Sequence, residues 1–154
     1  MARLARLLVL VSTLGPMTLG LFSLRQPVSV KCLLDVRNVS ERLEGEPQTN
    51  QRAELTAILR ALEIMGHQAF ELRTDSKYAI QCVTEWFRNW EKNGWRTKDG
   101  EVKNKDLVKA IRDRLEDREA NNAPTQFIWV KGHSKDPGND AADMLAVAGA
   151  KMPR

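Results

Sequence analysis

The sequence is poor in the residues that build disulfide frameworks and zinc sites. Its 154 residues include only two cysteines, Cys32 and Cys82, and only two histidines. The cysteines form no CxxC pair, and neither has a histidine at the spacing of metal ligands. These scarcities argue against a small disulfide-linked scaffold and against a structural zinc domain, and they favour a reducing compartment.

Excess charge is absent from most of the chain, although the formal net charge is +4. Residues 1–37 contain five Lys or Arg residues and a single acid, Asp35, so the remaining 19 basic and 19 acidic side chains balance. A nucleic-acid-binding hypothesis therefore needs local clustering of basic side chains, and the isoelectric point does not support it. The length and the 42% hydrophobic content suit one globular domain.

A long apolar run occurs in residues 1–30, where a basic start is followed by apolar sequence from Leu7 to Leu24. It is interpreted as a signal peptide or membrane anchor, as a mitochondrial presequence, or as sequence that is not native to the domain. The Gly15-Pro16 pair argues against a stable membrane-spanning helix. We treat residues 1–30 as a leader outside the fold.

Strand and helix patterns alternate from residue 38 onward. The predicted elements are an edge strand over 38–43, a helix over 51–65 stopped by Gly66, a strand over 69–74, a helix from Ser76, a helix over about 105–119, a strand over 125–131 and a helix over 140–150. This order predicts an α/β fold in which helices connect parallel strands.

Three carboxylates and a histidine occur where such a fold collects functional groups. Asp75 and His133 follow predicted strands, Asp143 lies in the first turn of the last predicted helix, and Glu54 lies at the rim of an apolar helix face. Each has a structural alternative, as a solvated rim residue, a helix cap or a charge that complements a helix dipole. Together at one sheet edge, they predict a Mg²⁺ site. Its chemistry would be phosphodiester hydrolysis by two metals roughly 4 Å apart, with His133 carrying protons.

Basic and aromatic side chains cluster in residues 86–105, which we call the basic protrusion. Six Lys or Arg residues there oppose three acids, and Trp86, Trp90 and Trp95 lie among them. Basic side chains hold phosphates, and aromatic faces contact sugars or bases. The alternative is a core role, since Trp86 and Trp90 share one helical face. We expect Trp86 to pack underneath while Trp90 and Trp95 remain available.

Four motifs, TNQRAEL, LRTDSKYAI, NWEKNGWRT with VKNKDL, and WVKGHSKDPGNDAAD, resemble in order those of type 1 ribonuclease H, which cuts the RNA strand of RNA–DNA hybrids. The resemblance covers about residues 36–151 and implies a mixed ribonuclease H-like sheet with flanking helices. It implies two Mg²⁺ ions, with Mn²⁺ as an alternative, and an RNA–DNA hybrid as partner. It implies no small-molecule cofactor, no protein partner and no membrane beyond the leader. It favours the nucleus or mitochondrion, and the leader leaves export open.

The resemblance also assigns roles to individual residues. Glu54, Asp75 and Asp143 match metal-binding catalytic carboxylates, and His133 matches a loop histidine that helps the product leave. The nucleic-acid contacts, from the motifs and from the basic protrusion, are Thr49, Asn50, Gln51, Trp86, Trp90, Lys92, Trp95, Arg96, Lys98, Asn104 and Asn139. Such a protein would distinguish a hybrid from duplex DNA by the 2′-hydroxyls of one strand and the backbone shape of the other.

The chain departs from the family pattern at its start. Family members begin with a strand that ends in Asp-Gly and supplies the first metal ligand, whereas the first Asp-Gly here is Asp99-Gly100 in the basic protrusion. Asp35 lies too close to Glu54 in sequence to replace it. We therefore expect a domain over 36–151 that lacks its first one or two strands, with residues 28–34 as a candidate to fill one position. Three interpretations follow: an active hybrid endoribonuclease, a catalytically impaired hybrid-binding remnant, or a shortened product that folds poorly alone.

Overall fold

The computed structural model describes residues 10–13, 47 and 49–131. In chain order the elements are β1 (Leu10–Thr13), α1 (Asn50–Met65), β2 (Phe70–Thr74), α2 (Lys77–Gln81), a π-helical turn (Cys82–Trp86), α3 (Phe87–Lys92), β3 (Arg96–Thr97), β4 (Gly100–Glu101), α4 (Lys105–Ala120) and β5 (Thr125–Trp129). The predicted helices over 51–65 and 105–119 and the predicted strand over 69–74 are confirmed to within one residue. The predicted strand over 38–43 and helix over 140–150 lie outside the described residues.

The first helix, α1, has a defined start and a defined stop. Thr49 caps its start, because the Thr49 hydroxyl oxygen accepts a hydrogen bond from the Arg52 backbone N–H at 3.2 Å. Gly66 ends it with φ of 50°, a conformation in which glycine avoids a steric penalty. The longest described helices are α1 and α4, with 16 residues each. No described helix is long and apolar enough to cross a membrane.

The main sheet has the order β1-β2-β5. The strands β2 and β5 are parallel, in a register that runs from Phe70 opposite Thr125 to Thr74 opposite Trp129, which confirms the predicted parallel pair. On the other side of β2, β1 pairs antiparallel. This strand lies within residues 1–30, the segment that the sequence analysis treats as a leader. The alternative strand candidate, residues 28–34, lies outside the described residues.

The core lies where α1 and α4 pack on each other and where β2 passes between its neighbours. Its fully buried side chains include Leu55, Ile58, Phe70, Leu72, Val108 and Ile111.

A buried arginine, Arg118, lies beside this core in the last turn of α4. The Arg118 guanidinium donates to the backbone oxygens of Gly66 and Gln68, and its Nε donates to the Thr125 hydroxyl at 2.8 Å. Arg118 therefore joins the end of α4 to the loop after α1 and to β5.

Candidate active site and nucleic-acid interface

The site is built at the point where β2 ends and α2 begins. Asp75 directly follows the last residue of β2, as the sequence predicts, and Ser76 follows it as the cap of α2. The Ser76 hydroxyl oxygen accepts a hydrogen bond from the Ala79 backbone N–H at 3.1 Å. The cap is therefore Ser76 and not Asp75, so the helix-cap alternative for Asp75 is wrong and its carboxylate remains available.

The second carboxylate reaches this edge from α1. Glu54 lies in the second turn of α1, and its Oε2 accepts a hydrogen bond from the Ser76 hydroxyl at 2.5 Å. This distance is at the short end for a hydroxyl bound to a carboxylate, which marks a strong, charge-assisted hydrogen bond. Glu54 is thus more than a solvated rim residue, because one of its oxygens is held within the protein next to Asp75.

The pKa of the Glu54 carboxyl responds to its burial, to Ser76 and to Asp75. Burial raises the pKa of the Glu54 carboxyl above its ordinary value, the Ser76 hydrogen bond lowers this pKa, and the charge of Asp75 raises it. Such mutual repulsion is what a bound cation relieves. Two half-buried carboxylates that repel each other are therefore suited to a metal ion.

The chemistry of these donors fits a hard divalent cation such as Mg²⁺, which prefers carboxylate oxygens and keeps several waters. Among the described residues, no group of three acidic, histidine or cysteine side chains is placed to hold a metal. Glu54 and Asp75 are the two predicted metal ligands that lie within the described residues. The other predicted members, His133 and Asp143, and the predicted contact Asn139 lie outside the described residues.

One residue that the sequence analysis overlooked holds Asp75 from the other side. The indole Nε1 of Trp129, the last residue of β5, donates to the Asp75 backbone oxygen at 3.1 Å. Trp129 is 45% exposed, and the ammonium of Lys77 lies 4.2 Å from the centre of its ring. The parallel register of β2 and β5 predicts this contact, since it places Thr74 opposite Trp129.

The tryptophans of the basic protrusion are arranged differently from the prediction. Trp95 is buried at 8% exposure, whereas Trp86 is 36% exposed, so the expectation that Trp86 packs underneath and Trp95 stays available is wrong. Trp95 has φ of 61°, its N–H donates to the Trp90 oxygen at 2.6 Å, and its oxygen accepts from Val102 N–H at 3.0 Å. These backbone bonds turn the Trp95 ring inward, where it becomes the core of the basic protrusion.

The rings of Tyr78, Trp86 and Trp90 follow one another edge to face, and of these three Trp86 is exposed while Tyr78 and Trp90 are half-buried. The ring centres of Tyr78 and Trp86 are 6.1 Å apart, and those of Trp86 and Trp90 are 5.9 Å apart. Trp90 also contacts Trp95, at 6.2 Å between ring centres. Trp86 is therefore the tryptophan of this group that is best placed to meet a ligand.

The predicted backbone contacts lie at the starts of two helices. Thr49, Asn50 and Gln51 are exposed at the start of α1, and Asn104 is the half-buried residue before α4. Asn104 adopts a left-handed conformation with φ of 57°, and its amide donates to the Tyr78 hydroxyl at 3.4 Å. Between the two helix starts is an open groove of about 530 Å³, lined by Pro47, Arg52, Glu101, Val102, Asn104, Lys105, Asp106 and Lys109.

The basic side chains of the protrusion face solvent. Lys92, Arg96 and Lys98 are exposed, and Arg96 lies on the two-stranded hairpin of β3 and β4. Asn93 supports this hairpin, because its side chain both donates to the Arg96 oxygen at 2.9 Å and accepts from the Arg96 N–H at 3.2 Å. The result is an ordered, positively charged surface beside the exposed Trp86 ring, which suits a polyanion.

Comparison with known proteins is consistent with this architecture. The family model for RNase H matches residues 15–151. A "Ribonuclease H" of Schizosaccharomyces pombe is 45% identical over 117 residues, covering 75% of this chain and 42% of the relative, so the chain spans less than half of that protein's length. A "Ribonuclease H" of Pseudomonas paraeruginosa is 42% identical over 114 residues, covering 71% of this chain and 74% of the relative.

A solved structure has a related fold. It is a foamy viral protease-reverse transcriptase in complex with dsDNA, which is similar to this chain with a TM-score of 0.56 and 25% sequence identity. The match covers 67% of this chain and 66% of the viral chain. With the family model spanning most of the sequence and the bacterial relative matched over most of its own length, the chain belongs to the ribonuclease H family.

Proposed function

We propose that this chain is an endoribonuclease that cleaves the RNA strand of RNA–DNA hybrids in a Mg²⁺-dependent reaction. The observation that carries the proposal is the pair of carboxylates at the end of β2, in which Ser76 holds Glu54 beside Asp75. Membership of the ribonuclease H family and the exposed basic and aromatic surface support the same substrate.

The protein's own residues divide the task between binding and chemistry. The exposed Thr49 and the half-buried Asn104, at the starts of α1 and α4, offer polar groups to a phosphate backbone, and Trp86 offers an aromatic face to the sugars or bases of the hybrid. Glu54 and Asp75 supply negatively charged oxygens that draw divalent cations to one point of the bound strand. When bound, a pair of Mg²⁺ ions would activate a water molecule and stabilise the leaving oxygen.

Replacing Asp75 by Asn tests the metal-ligand role directly. The amide keeps the size of the side chain but loses its charge, so Asp75→Asn should lower the Mg²⁺-dependent cleavage rate by about a thousandfold or more. Hybrid affinity in EDTA should stay within about threefold, because polyanion binding depends mainly on the basic protrusion. The measurement is cleavage of a labelled RNA–DNA hybrid, with fluorescence anisotropy for binding.

Asp113→Asn is the matched control for this experiment. Asp113 is an exposed residue of α4, and the same change in charge and volume at this position should leave both cleavage and binding unchanged. Unaltered cleavage by Asp75→Asn would refute the role of Asp75, and equal losses in both variants would indicate a general effect of charge.

A second candidate function is hybrid binding with little turnover. It is favoured by β1, the strand beside β2, because its sequence Leu-Val-Ser-Thr contains no carboxylate. The same assay separates the two candidates. Hybrid that is bound but not cleaved by the unaltered chain, at saturating Mg²⁺, would favour the binding function.

A further inference from the structure

The Ser76 hydroxyl accepts one hydrogen bond and donates another. Its oxygen accepts from the Ala79 N–H at 3.1 Å, and Oγ lies 2.5 Å from Glu54 Oε2. Because a carboxylate is an acceptor only, the single hydroxyl proton must point at Glu54. The helix cap therefore orients the hydroxyl, and the hydroxyl in turn orients the carboxylate.

Ser76 is itself held in place by the strand before it. The Ser76 side chain and backbone are nearly buried at 6% exposure, and the Ser76 N–H donates to the Thr74 hydroxyl at 3.1 Å. Thr74 is fully buried within β2. The position of the Ser76 hydroxyl is thus determined by the end of β2 and the start of α2. The hydroxyl in turn holds the Glu54 carboxylate of α1 through its hydrogen bond.

Within residues 49–131, a hydrogen bond reaches the Glu54 carboxylate on one side. Ser76 is the described hydrogen-bond donor to Oε2, and no hydrogen bond from the described residues reaches Oε1. Asp75 precedes Ser76 in the chain, and its backbone oxygen is fixed by the Trp129 indole at 3.1 Å. The same dipeptide therefore supplies one carboxylate and sets the orientation of the other.

We propose that Ser76 is a positioning residue that holds the Glu54 carboxylate beside Asp75 in the orientation needed to bind a divalent cation, an inference that rests on the metal site of the proposed function. If Ser76 were only a helix cap, its hydroxyl would not need the Glu54 carboxylate as an acceptor. If Glu54 were only a solvated surface residue, it would not need the buried Ser76 hydroxyl as a donor. Hydrogen-bonding groups behind a metal ligand typically contribute 10- to 100-fold to metal affinity.

The test measures Mg²⁺ binding to the free chain, without a hybrid. The backbone amide signal of Asp75 is followed by NMR as Mg²⁺ is added, for the unaltered chain and for Ser76→Ala, Ser76→Gly and Ser76→Thr. Loss of the hydroxyl should raise the Mg²⁺ midpoint by about 10-fold or more in both Ala and Gly variants. Ser76→Thr, which keeps a hydroxyl, should restore the midpoint to within about threefold.

Thermal unfolding of the same variants separates positioning from capping. Glycine is a much better helix cap than alanine, so the Ala variant should lose more stability than the Gly variant. If the midpoint follows the loss of stability across the variants instead of the loss of the hydroxyl, Ser76 is a cap only. Thr84→Val is the matched control, since the Thr84 hydroxyl donates only to the Ile80 backbone oxygen at 2.8 Å within the same helical segment, and its midpoint should not change.

These outcomes can be told apart from failure of the proposed function. A chain that binds hybrid without cleaving it, yet shows the Ser76-dependent midpoint, would overturn the ribonuclease proposal and keep this inference. An unchanged midpoint in Ser76→Ala, or no Mg²⁺-dependent shift at Asp75 in the unaltered chain, would overturn the inference whatever the cleavage assay shows.

Discussion

Glu54 shows how a buried carboxylate lowers the stability of the metal-free protein. Its pKa is raised first by burial, so the folded state holds its proton more tightly than the unfolded chain. Above the folded pKa both states are ionised and the buried charge is destabilising. This cost shrinks as the pH falls through the folded pKa, and it is gone below the ordinary value of 4.5.

Replacing Glu54 by Gln should therefore stabilise the metal-free chain at pH 7. The gain should not exceed about 1 kcal/mol, because the half-exposed carboxylate is screened by water. The glutamine can still accept the Ser76 hydrogen bond, so the gain should vanish below about pH 4.5, where the native carboxyl is protonated as well. Urea unfolding in EDTA at pH 7 and pH 4 measures this difference.

Glu63→Gln is the matched control on the same helix. Glu63 is exposed and pairs with Arg60 at 2.9 Å, so its loss should change stability by no more than about 0.5 kcal/mol at either pH. A Glu54→Gln variant that is less stable at pH 7 would contradict this account, because it would mean that the charge-assisted hydrogen bond from Ser76 outweighs the cost of burying the charge.

At the scale of elements, the basic protrusion combines a buried anchor with an exposed contact. Trp95 fills its interior, and the ammonium of Lys109 on α4 lies 5.4 Å from the centre of the Trp95 ring. Trp86, the first residue of the protrusion, is exposed at the end of the π-helical turn. The two tryptophans should thus respond to truncation in opposite ways, one through stability and the other through binding.

Trp95→Ala should lower the free energy of unfolding by about 3 kcal/mol or more, because it leaves a large cavity. Trp86→Ala should cost about 1 kcal/mol of stability, since its ring is partly exposed, but should weaken hybrid binding about 10-fold through lost stacking. Chemical unfolding and anisotropy of a labelled hybrid in EDTA measure the two effects. The reverse pattern would restore the sequence-based assignment of the two side chains.

The π-helical turn over Cys82–Trp86 explains why the Trp86 side chain is exposed. In a π-helical turn the backbone hydrogen bond joins residues five positions apart. The residue five positions on therefore lies on the same side of the helix. Cys82 and Phe87 are five positions apart, and both are buried. The intervening Trp86 is consequently displaced toward solvent. Apolar spacing in the sequence does not reveal a π turn, because an α-helix with the same residues would satisfy most of the pattern.

At the scale of the whole molecule, β1 covers an edge of β2 that would otherwise be open. An unpaired strand edge exposes backbone donors and acceptors and promotes association between chains. The antiparallel pairing from Leu10 opposite Arg73 to Thr13 opposite Phe70 satisfies this edge. Residues 10–13 therefore contribute to the integrity of the sheet.

Proline at Val11, in the middle of β1, tests this contribution. Because proline removes a backbone donor and resists sheet pairing, Val11→Pro should lower the free energy of unfolding by about 1 kcal/mol or more and should increase aggregation. Thermal unfolding and light scattering measure both effects, with Val11→Thr as a control that keeps strand propensity. Unchanged stability in Val11→Pro would mean that β1 contributes nothing to the sheet.

The sequence predicts the parts of the molecule that depend on local signals. The limits of α1 follow from its apolar spacing and from Gly66, and Asp75 follows from the strand pattern before it. The Glu54–Ser76 hydrogen bond and the Trp129–Asp75 contact join residues 22 and 54 positions apart, so no local pattern encodes them. The inward turn of Trp95 depends on its positive φ, which residue type does not predict.

These sequence separations also bear on the order in which the molecule folds. Both pairings of the main sheet join residues more than 50 positions apart, whereas Glu54 and Ser76 are separated by 22. Closing a long loop costs entropy before its contacts form, so nearby partners meet first. We expect the unit of α1, β2 and the start of α2 to assemble before the sheet closes, which would place the carboxylate pair in the part of the protein that folds earliest.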